Sequence, residues 1–304
     1  MKLFKKIIST ALLCATATLA AQNCCPSQND CNPCCDWFGD CAFSVFADYL
    51  YWDVCRSQND LYKINQVPVS DSATMINLPT KYQSGYRVGG SIQMDCWNFL
   101  IRYASLDSSK RRSFPDEVDI SDEFDYSVVD IDFGRTIYFN NCCAILTPFV
   151  GVKLGWIDET LVANVISDFQ VATAKNNLSA YGVTLGANFE WIICDGCIST
   201  SFVTRGALSV LRGSFHVAQY DNVGFEPGNG FFDDACAINF VPEIYVGLDF
   251  GLFDCDCFCL NAQIGYEAQV WNSYLFLQPA NFIENRASGT LGLNGLVARF
   301  EIGF

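Results

Sequence analysis

The feature that most limits the fold of this chain is an alternation of apolar and other residues that recurs in long segments. In the C-terminal segment, one set of alternate positions holds the apolar residues Leu296, Ala298, Phe300, Ile302 and Phe304. The positions between them hold Val297, Arg299, Glu301 and Gly303. A period of two places alternate side chains on opposite faces of a β-strand. The pattern therefore predicts a strand with one wholly apolar face.

The same alternation, cleaner in some segments than in others, predicts further strands along the chain. The predicted strands are at about 42–54, 84–95, 97–107, 124–139, 144–157, 178–193, 197–212, 237–253, 258–271 and 290–304. A tilted strand needs roughly 9–11 residues to cross a bilayer, whereas strands of soluble proteins average about 5–6 residues. The lengths favour a membrane barrel, and a soluble sandwich or lipocalin-like barrel is the alternative.

The connections between these strands fall into two classes. Short turns lie near 95–96, 140–143, 194–197 and 254–257, and long polar segments lie at 55–83, 108–123, 158–177, 213–236 and 272–289. Short turns on one side and long loops on the other are typical of transmembrane barrels. We therefore predict an all-β fold, a transmembrane antiparallel barrel of about ten strands with short periplasmic turns and long outer loops. Segment 55–83 has room for another hairpin, so twelve strands would also fit.

The N-terminal residues predict export. Lys2, Lys5 and Lys6 precede an apolar stretch, and small residues follow near Ala20. This is the pattern of a secretory signal peptide, which we place at 1–21, and a membrane anchor helix is the alternative. A cysteine-rich periplasmic segment would then span 22–41 and the barrel 42–304. Removal of the three lysines would take the formal charge of −15 to −18, and so acidic a chain is a poor partner for nucleic acid.

The chain is rich in apolar residues, but they do not form the long continuous runs of membrane-spanning helices. Hydrophobic residues make up 51% of it, yet no run of 18 apolar residues follows the signal peptide. A barrel distributes its apolar residues over every second position, which explains both observations.

The chain contains 17 cysteines, and most of them fall on the predicted periplasmic side, where disulfides form and persist. The candidates for disulfide bonds are Cys24, Cys25, Cys31, Cys34, Cys35, Cys41, Cys96, Cys142, Cys143, Cys194, Cys197, Cys255, Cys257 and Cys259. Neighbouring cysteines could staple the turns within one chain, or some could join neighbouring envelope proteins. Adjacent cysteines rarely bond to each other, and periplasmic turns lie far apart around a barrel rim, which favours some intermolecular bonds. Cys31 and Cys34 also have the spacing of zinc ligands, a minor alternative in an exported chain, and we predict no metal or cofactor.

Several segments, in order, resemble the Legionella-type major outer-membrane protein family of pore-forming barrels. They are 46–52, 85–89, 130–135, 147–153, 206–211 and 264–267, with sequences FADYLYW, GYRVG, DIDFGR, TPFVGVK, GALSVL and IGYE. The resemblance implies an outer-membrane porin. The many cysteines depart from that pattern and look more like the cysteine-rich envelope proteins of chlamydia-like bacteria, whose walls are thought to rely on disulfide cross-links.

The alternation also predicts which charged side chains face the lumen. The candidates are Arg87, Arg102, Asp130, Asp132, Lys153, Glu190, Glu243, Asp249, Glu267, Arg299 and Glu301. These charges could line a wet pore or pair across a closed lumen, because ten to twelve strands lie between the roughly eight that side chains fill and the 16–18 of an aqueous channel.

We predict a porin for small hydrophilic solutes that also stabilises the envelope through disulfides. The alternative is a structural or adhesive protein with a closed lumen. An enzyme is not expected, because the one histidine, His216, has no matching partner motif. Partners would be outer-membrane lipid, neighbouring envelope proteins and a homo-oligomer.

Overall fold

A computed structural model describes residues 42–56, 62–63, 75–76, 82–94, 96–114, 118–139, 143–165, 170–194, 199–223, 230–255, 258–277 and 286–304. The predicted signal peptide at 1–21 and the cysteine-rich segment at 22–41 lie outside these described residues.

The described residues form strands almost throughout, numbered here along the chain. They are β1 (Ala42–Arg56), β2 (Tyr62–Lys63), β3 (Met75–Ile76), β4 (Tyr82–Met94), β5 (Trp97–Phe114), β6 (Val118–Arg135), β7 (Ile137–Phe139), β8 (Ala144–Val165), β9 (Gln170–Cys194), β10 (Ser199–Val223), β11 (Gly230–Cys255), β12 (Phe258–Leu277) and β13 (Arg286–Gly303).

Ten long antiparallel strands close into a barrel, as the alternation predicted. The order around the ring is β1, β4, β5, β6, β8, β9, β10, β11, β12 and β13, and pairing of β13 with β1 and of β6 with β8 closes it. Short β7 continues the edge of β6 against β8. The described part of segment 55–83 forms a separate two-stranded sheet of β2 and β3 rather than two more barrel strands.

The hairpins on the outer side extend much further than the sequence suggested. Segments predicted as polar loops at 108–123, 158–177, 213–236 and 272–289 are largely strand, and β9 and β10 remain paired up to Val223 and Gln170. Above the membrane the outward face no longer needs apolar side chains. In the outer part of β10 the outward residues Arg212, Ser214 and His216 are polar while Leu211, Phe215 and Val217 face the lumen. The backbone hydrogen bonds continue although no outward apolar face marks the strand.

The outer wall of the barrel shows where the membrane lies. Its exposed side chains form an apolar band, of which Val88, Val152, Leu185, Ile244 and Ile264 are examples. Aromatic pairs border the band on both sides, with Tyr51 stacked on Tyr82 near the outer rim and Trp97 on Phe133 near the turns, at ring distances of 5.0 and 4.9 Å. Beyond the outer border the same wall becomes polar. Such aromatic girdles mark the two interfaces of a transmembrane barrel.

Among the residues that the structure describes, no helix has the length and hydropathy of a membrane span.

Candidate functional site

Large aromatic side chains fill the outer half of the lumen. Trp52 on β1, Tyr126 on β6 and Trp271 on β12 are at most 2% exposed, and each neighbouring pair of rings meets edge to face with centroids 6.2 Å apart. Since β6 and β12 are five places apart in the ring of ten, Tyr126 and Trp271 come from opposite walls. Their contact therefore spans the whole width of the lumen. We call these three residues the aromatic plug.

Two further contacts hold the aromatic plug in place. Gln269 Nε2 donates a hydrogen bond of 2.7 Å to the Tyr126 hydroxyl, again across the barrel. On β8, a Cβ atom at Gly155 would lie 2.7 Å from Cη2 of Trp271, so the absence of a side chain there makes room for the indole. Leucine, isoleucine, valine and phenylalanine side chains surround the plug in one continuous buried cluster. The lumen at this level is thus occupied by buried side chains.

A layer of ion pairs lies directly below the aromatic plug, on its periplasmic side. Arg102 Nε is 2.9 Å from Asp130 Oδ2, and its Nη2 is 3.5 Å from Glu243 Oε2. Lys153 Nζ contacts the same two carboxylates, at 2.6 Å from Asp130 and 2.5 Å from Glu243. Strands β5 and β11 are opposite each other in the ring, so the Arg102–Glu243 pair also crosses the lumen.

The rest of this layer is built in the same way. Arg87 pairs with Glu267 at 2.7 Å and with Asp48 at 3.3 Å, and Arg299 also pairs with Asp48, at 2.7 Å. Arg205 pairs with Asp132 at 2.8 Å. The layer thus contains equal numbers of basic and acidic side chains, Arg87, Arg102, Lys153, Arg205 and Arg299 against Asp48, Asp130, Asp132, Glu243 and Glu267. Its balance matters because an unpaired charge buried at this depth would be very costly.

A second, smaller ion cluster lies at the outer end of the lumen. Arg56 is 3.0 Å from Asp122 and 2.8 Å from Glu159, and all three side chains are less than 10% exposed. The Tyr274 hydroxyl donates a 3.1 Å hydrogen bond to Glu159. The sequence analysis did not single out this cluster, nor Asp48 and Arg205 in the lower layer. Asp48 and Arg205 lie in strands whose alternation is noisy. Asp122 and Glu159 lie in segments predicted to be loops.

The predicted lumen residues separate into two groups. Arg87, Arg102, Asp130, Asp132, Lys153, Glu243 and Glu267 are buried within the ion layer. Glu190, Asp249 and Glu301 are half-buried, at inward positions of their strands closer to the periplasmic turns. Arg299 is also half-buried but joins the ion layer through its pair with Asp48. In that lower group Glu301 accepts a 2.6 Å hydrogen bond from the Ser44 hydroxyl.

A polar cavity of about 320 Å³ occupies the periplasmic half of the lumen. Its ceiling is the ion layer, represented by Arg87, Arg102 and Arg205, and its lower wall includes Asn98 and Thr136 beside the turns. The lumen is thus filled on the outer side and hollow on the periplasmic side.

A family model described as the Legionella pneumophila major outer membrane protein precursor matches residues 39–303. The chain belongs to this family. Family membership and the closed barrel together make it an outer-membrane β-barrel protein.

Solved structures of other outer-membrane proteins are similar to this family member at low sequence identity. A major outer membrane protein from Thermus thermophilus shares 10% identity, with 86% of this chain and 98% of that chain covered and a TM-score of 0.36. The outer membrane protease OmpT from Escherichia coli shares 8%, with 91% and 99% covered and a TM-score of 0.47. A Pseudomonas aeruginosa FadL homologue shares 8%, with 94% and 93% covered and a TM-score of 0.30. A search of curated proteins found no match.

The described cysteines of this family member lie at both ends of the barrel. Cys96 and Cys143 lie beside the short turns. Cys55 and Cys236 lie towards the outer end and are free thiols. Of the other candidates, Cys194, Cys255 and Cys259 lie at the turn ends of their strands. Outside the described residues are Cys24, Cys25, Cys31, Cys34, Cys35, Cys41, Cys142, Cys197 and Cys257.

His216 lies on the outer wall above the apolar band, not in the lumen. Its Nδ1 is 2.6 Å from Asp234 Oδ1, and the two side chains are 65% and 81% exposed. Within the described ranges, no three His, Cys, Asp or Glu side chains are grouped in a way that could hold a metal ion. This pair is therefore a solvated surface contact between β10 and β11.

Proposed function

We propose that this outer-membrane barrel is a structural protein of the envelope, with a lumen sealed by the aromatic plug and with disulfide bonds at its periplasmic rim. The observation that carries the proposal is the chain of contacts from Trp52 through Tyr126 to Trp271 across the lumen. An open pore would have to hydrate these rings and separate the ion pairs beneath them. The proposal includes no catalytic role.

The second part of the proposal concerns the cysteines at the periplasmic rim. Cys142 and Cys143 are adjacent, so a bond between them would have unfavourable geometry and their partners must lie elsewhere. The cysteine-rich segment 22–41 joins β1 at the same rim and supplies further thiols. We propose that some of these cysteines bond to a second copy of the chain or to other envelope proteins.

A porin for small hydrophilic solutes is the second candidate, and the periplasmic cavity favours it. A polar cavity that already reaches the middle of the barrel would become a pore if the aromatic plug moved aside. In this candidate the plug would be a gate, and the charged residues of the ion layer would form the constriction.

Single-channel recording separates the two candidates. The purified, refolded protein in a planar bilayer is expected to give no conductance steps, whereas a Trp271→Ala, Tyr126→Ala double variant should give them because it removes two of the three plug rings. A matched control is Trp156→Ala, Tyr181→Ala, since these two aromatic residues lie on the outer wall. Regular steps from the unaltered protein would reject the sealed lumen and support the porin.

Electrophoresis of whole envelopes tests the cross-links. With free thiols blocked at lysis, the protein should run as a ladder of large species that collapses to one band on reduction. A monomer in both lanes would reject intermolecular disulfides and leave the cysteines as staples within each barrel.

A further inference from the structure

The periplasmic cavity presents more basic than acidic groups to its interior. Its lining contains four arginines, Arg87, Arg102, Arg205 and Arg299, but only two acidic residues, Glu190 and Glu267. The other acids of the ion layer, Asp48, Asp130, Asp132 and Glu243, pair with these arginines but are not part of the lining. The layer is therefore neutral as a whole, yet its basic side faces the cavity.

Two of the arginines are held rigidly. Arg205 lies over the ring of Phe149 and Arg299 over the ring of Phe46, with the guanidinium carbon 4.0 and 3.9 Å from the ring centres. One carboxylate holds each of them as well, Asp132 for Arg205 and Asp48 for Arg299. A guanidinium fixed in this way loses little freedom when it binds a ligand, and its planar fork matches a carboxylate or a phosphate.

Arg205 also retains unused hydrogen-bonding capacity. Its Nη1 donates to Asn188 Oδ1 at 3.2 Å and its Nη2 to Asp132 Oδ2 at 2.8 Å. Its buried Nε has no hydrogen-bond partner within the described part of the chain. Nη1 and Nη2 each carry a second N–H and the side chain is 11% exposed, so an oxygen atom of a ligand in the cavity can accept a hydrogen bond from one of them.

We propose that the periplasmic cavity is a binding site for a small solute that carries a carboxylate or phosphate group, with Arg205 and Arg299 as its main contacts. The volume of about 320 Å³ suits a small metabolite and lies at the low end of ligand pockets in general. The site does not require the lumen to open, because the cavity lies on the periplasmic side of the aromatic plug. A test of this binding site can therefore succeed or fail independently of the proposal that the lumen is sealed.

Isothermal titration calorimetry on the full-length protein in detergent tests the site, with citrate and inorganic phosphate as anionic probes and spermidine and glucose as cationic and neutral ones. We expect saturable binding of citrate, of phosphate or of both, and none of spermidine or glucose. Comparison of citrate with phosphate shows which oxyanion the site takes. Binding of spermidine in preference to the anions, or of no anion at all, would overturn the proposal.

Three variants assign the binding to these residues. Arg205→Lys keeps the charge but loses the planar fork, and should weaken binding about tenfold, the equivalent of one charge-assisted hydrogen bond. Glu190→Gln removes a carboxylate from the lining, and should strengthen anion binding about threefold by removing repulsion. Arg135→Gln is the matched control, because Arg135 faces outward over Trp97 at the same end of the barrel.

The folded state of each variant is checked by heat-dependent migration on gels. If folded Arg205→Lys and Glu190→Gln both bind the anion as the unaltered protein does, the cavity is not the site. The same conclusion follows if Arg135→Gln weakens binding as much as Arg205→Lys.

Discussion

The outer and periplasmic halves of the lumen differ in how far their inward side chains fill the space between the walls. Both are enclosed by the same ten strands, and both contain charged side chains. In the outer half, rings large enough to meet from opposite walls occupy the lumen, and the charges form a small cluster above them. In the periplasmic half the inward side chains are mostly polar and shorter, ion pairs rather than rings span the barrel, and a cavity remains. A barrel of ten strands is therefore wide enough that the choice of side chain decides whether a given level is filled or hollow.

The largest effect should come from removing the centre of the aromatic plug. Trp271→Ala is expected to lower the free energy of unfolding by about 4 kcal/mol, because the cavity left by a fully buried indole cannot collapse between rigid strands. Urea titration monitored by tryptophan fluorescence would measure it. Trp156→Ala, on the outer wall, should cost much less. Equal losses for the two variants would mean that the outer half is not packed as described.

A somewhat smaller effect should follow from leaving charges unpaired in the ion layer. Glu243→Ala removes the shared partner of Arg102 and Lys153 and should cost about 3 kcal/mol by the same titration. Glu243→Gln should cost less, since the amide oxygen can still accept a hydrogen bond. Asp249→Ala is the control, because Asp249 also faces inward on β11 but has no ion-pair partner among the described residues. A cost for Asp249→Ala as large as that for Glu243→Ala would show that the cross-lumen pairing is not what matters.

The smallest effect should be at an exposed ion pair beyond the membrane. Arg111 and Asp119 are 3.0 Å apart with side chains 73% and 25% exposed, and such pairs contribute little. Arg111→Ala should leave the urea midpoint unchanged within error. Arg56→Ala, which breaks a pair of the same length with side chains 5% and 1% exposed, should lower it clearly. A measurable loss for Arg111→Ala would remove the distinction between buried and exposed pairs.

The sequence predicted the strands well where one face touches lipid. The alternation along β13 and along the lower part of β9 reflects a direct physical demand, since every outward side chain there must be apolar. It failed along the outer part of β10, where outward side chains such as His216 are polar and only the lumen-facing ones, such as Phe215 and Val217, are apolar. The same limit hid Asp122 and Glu159, which lie in strand extensions that the sequence presents as polar loops.

The sequence alone determined that this chain forms long amphipathic strands, which of their faces meets lipid and, from that, which charges such as Arg102 and Glu243 point inward. Only the tertiary structure decided what those charges meet. One of the two partners of Arg102, Glu243, is 141 positions away in the chain and on the opposite wall. That pairing depends on strand number, tilt and register together. The same closure decided that the rings of Trp52, Tyr126 and Trp271 meet while the arginines below them leave a cavity. Local alternation sets the direction of each side chain, but the geometry of the closed ring sets the distance across it.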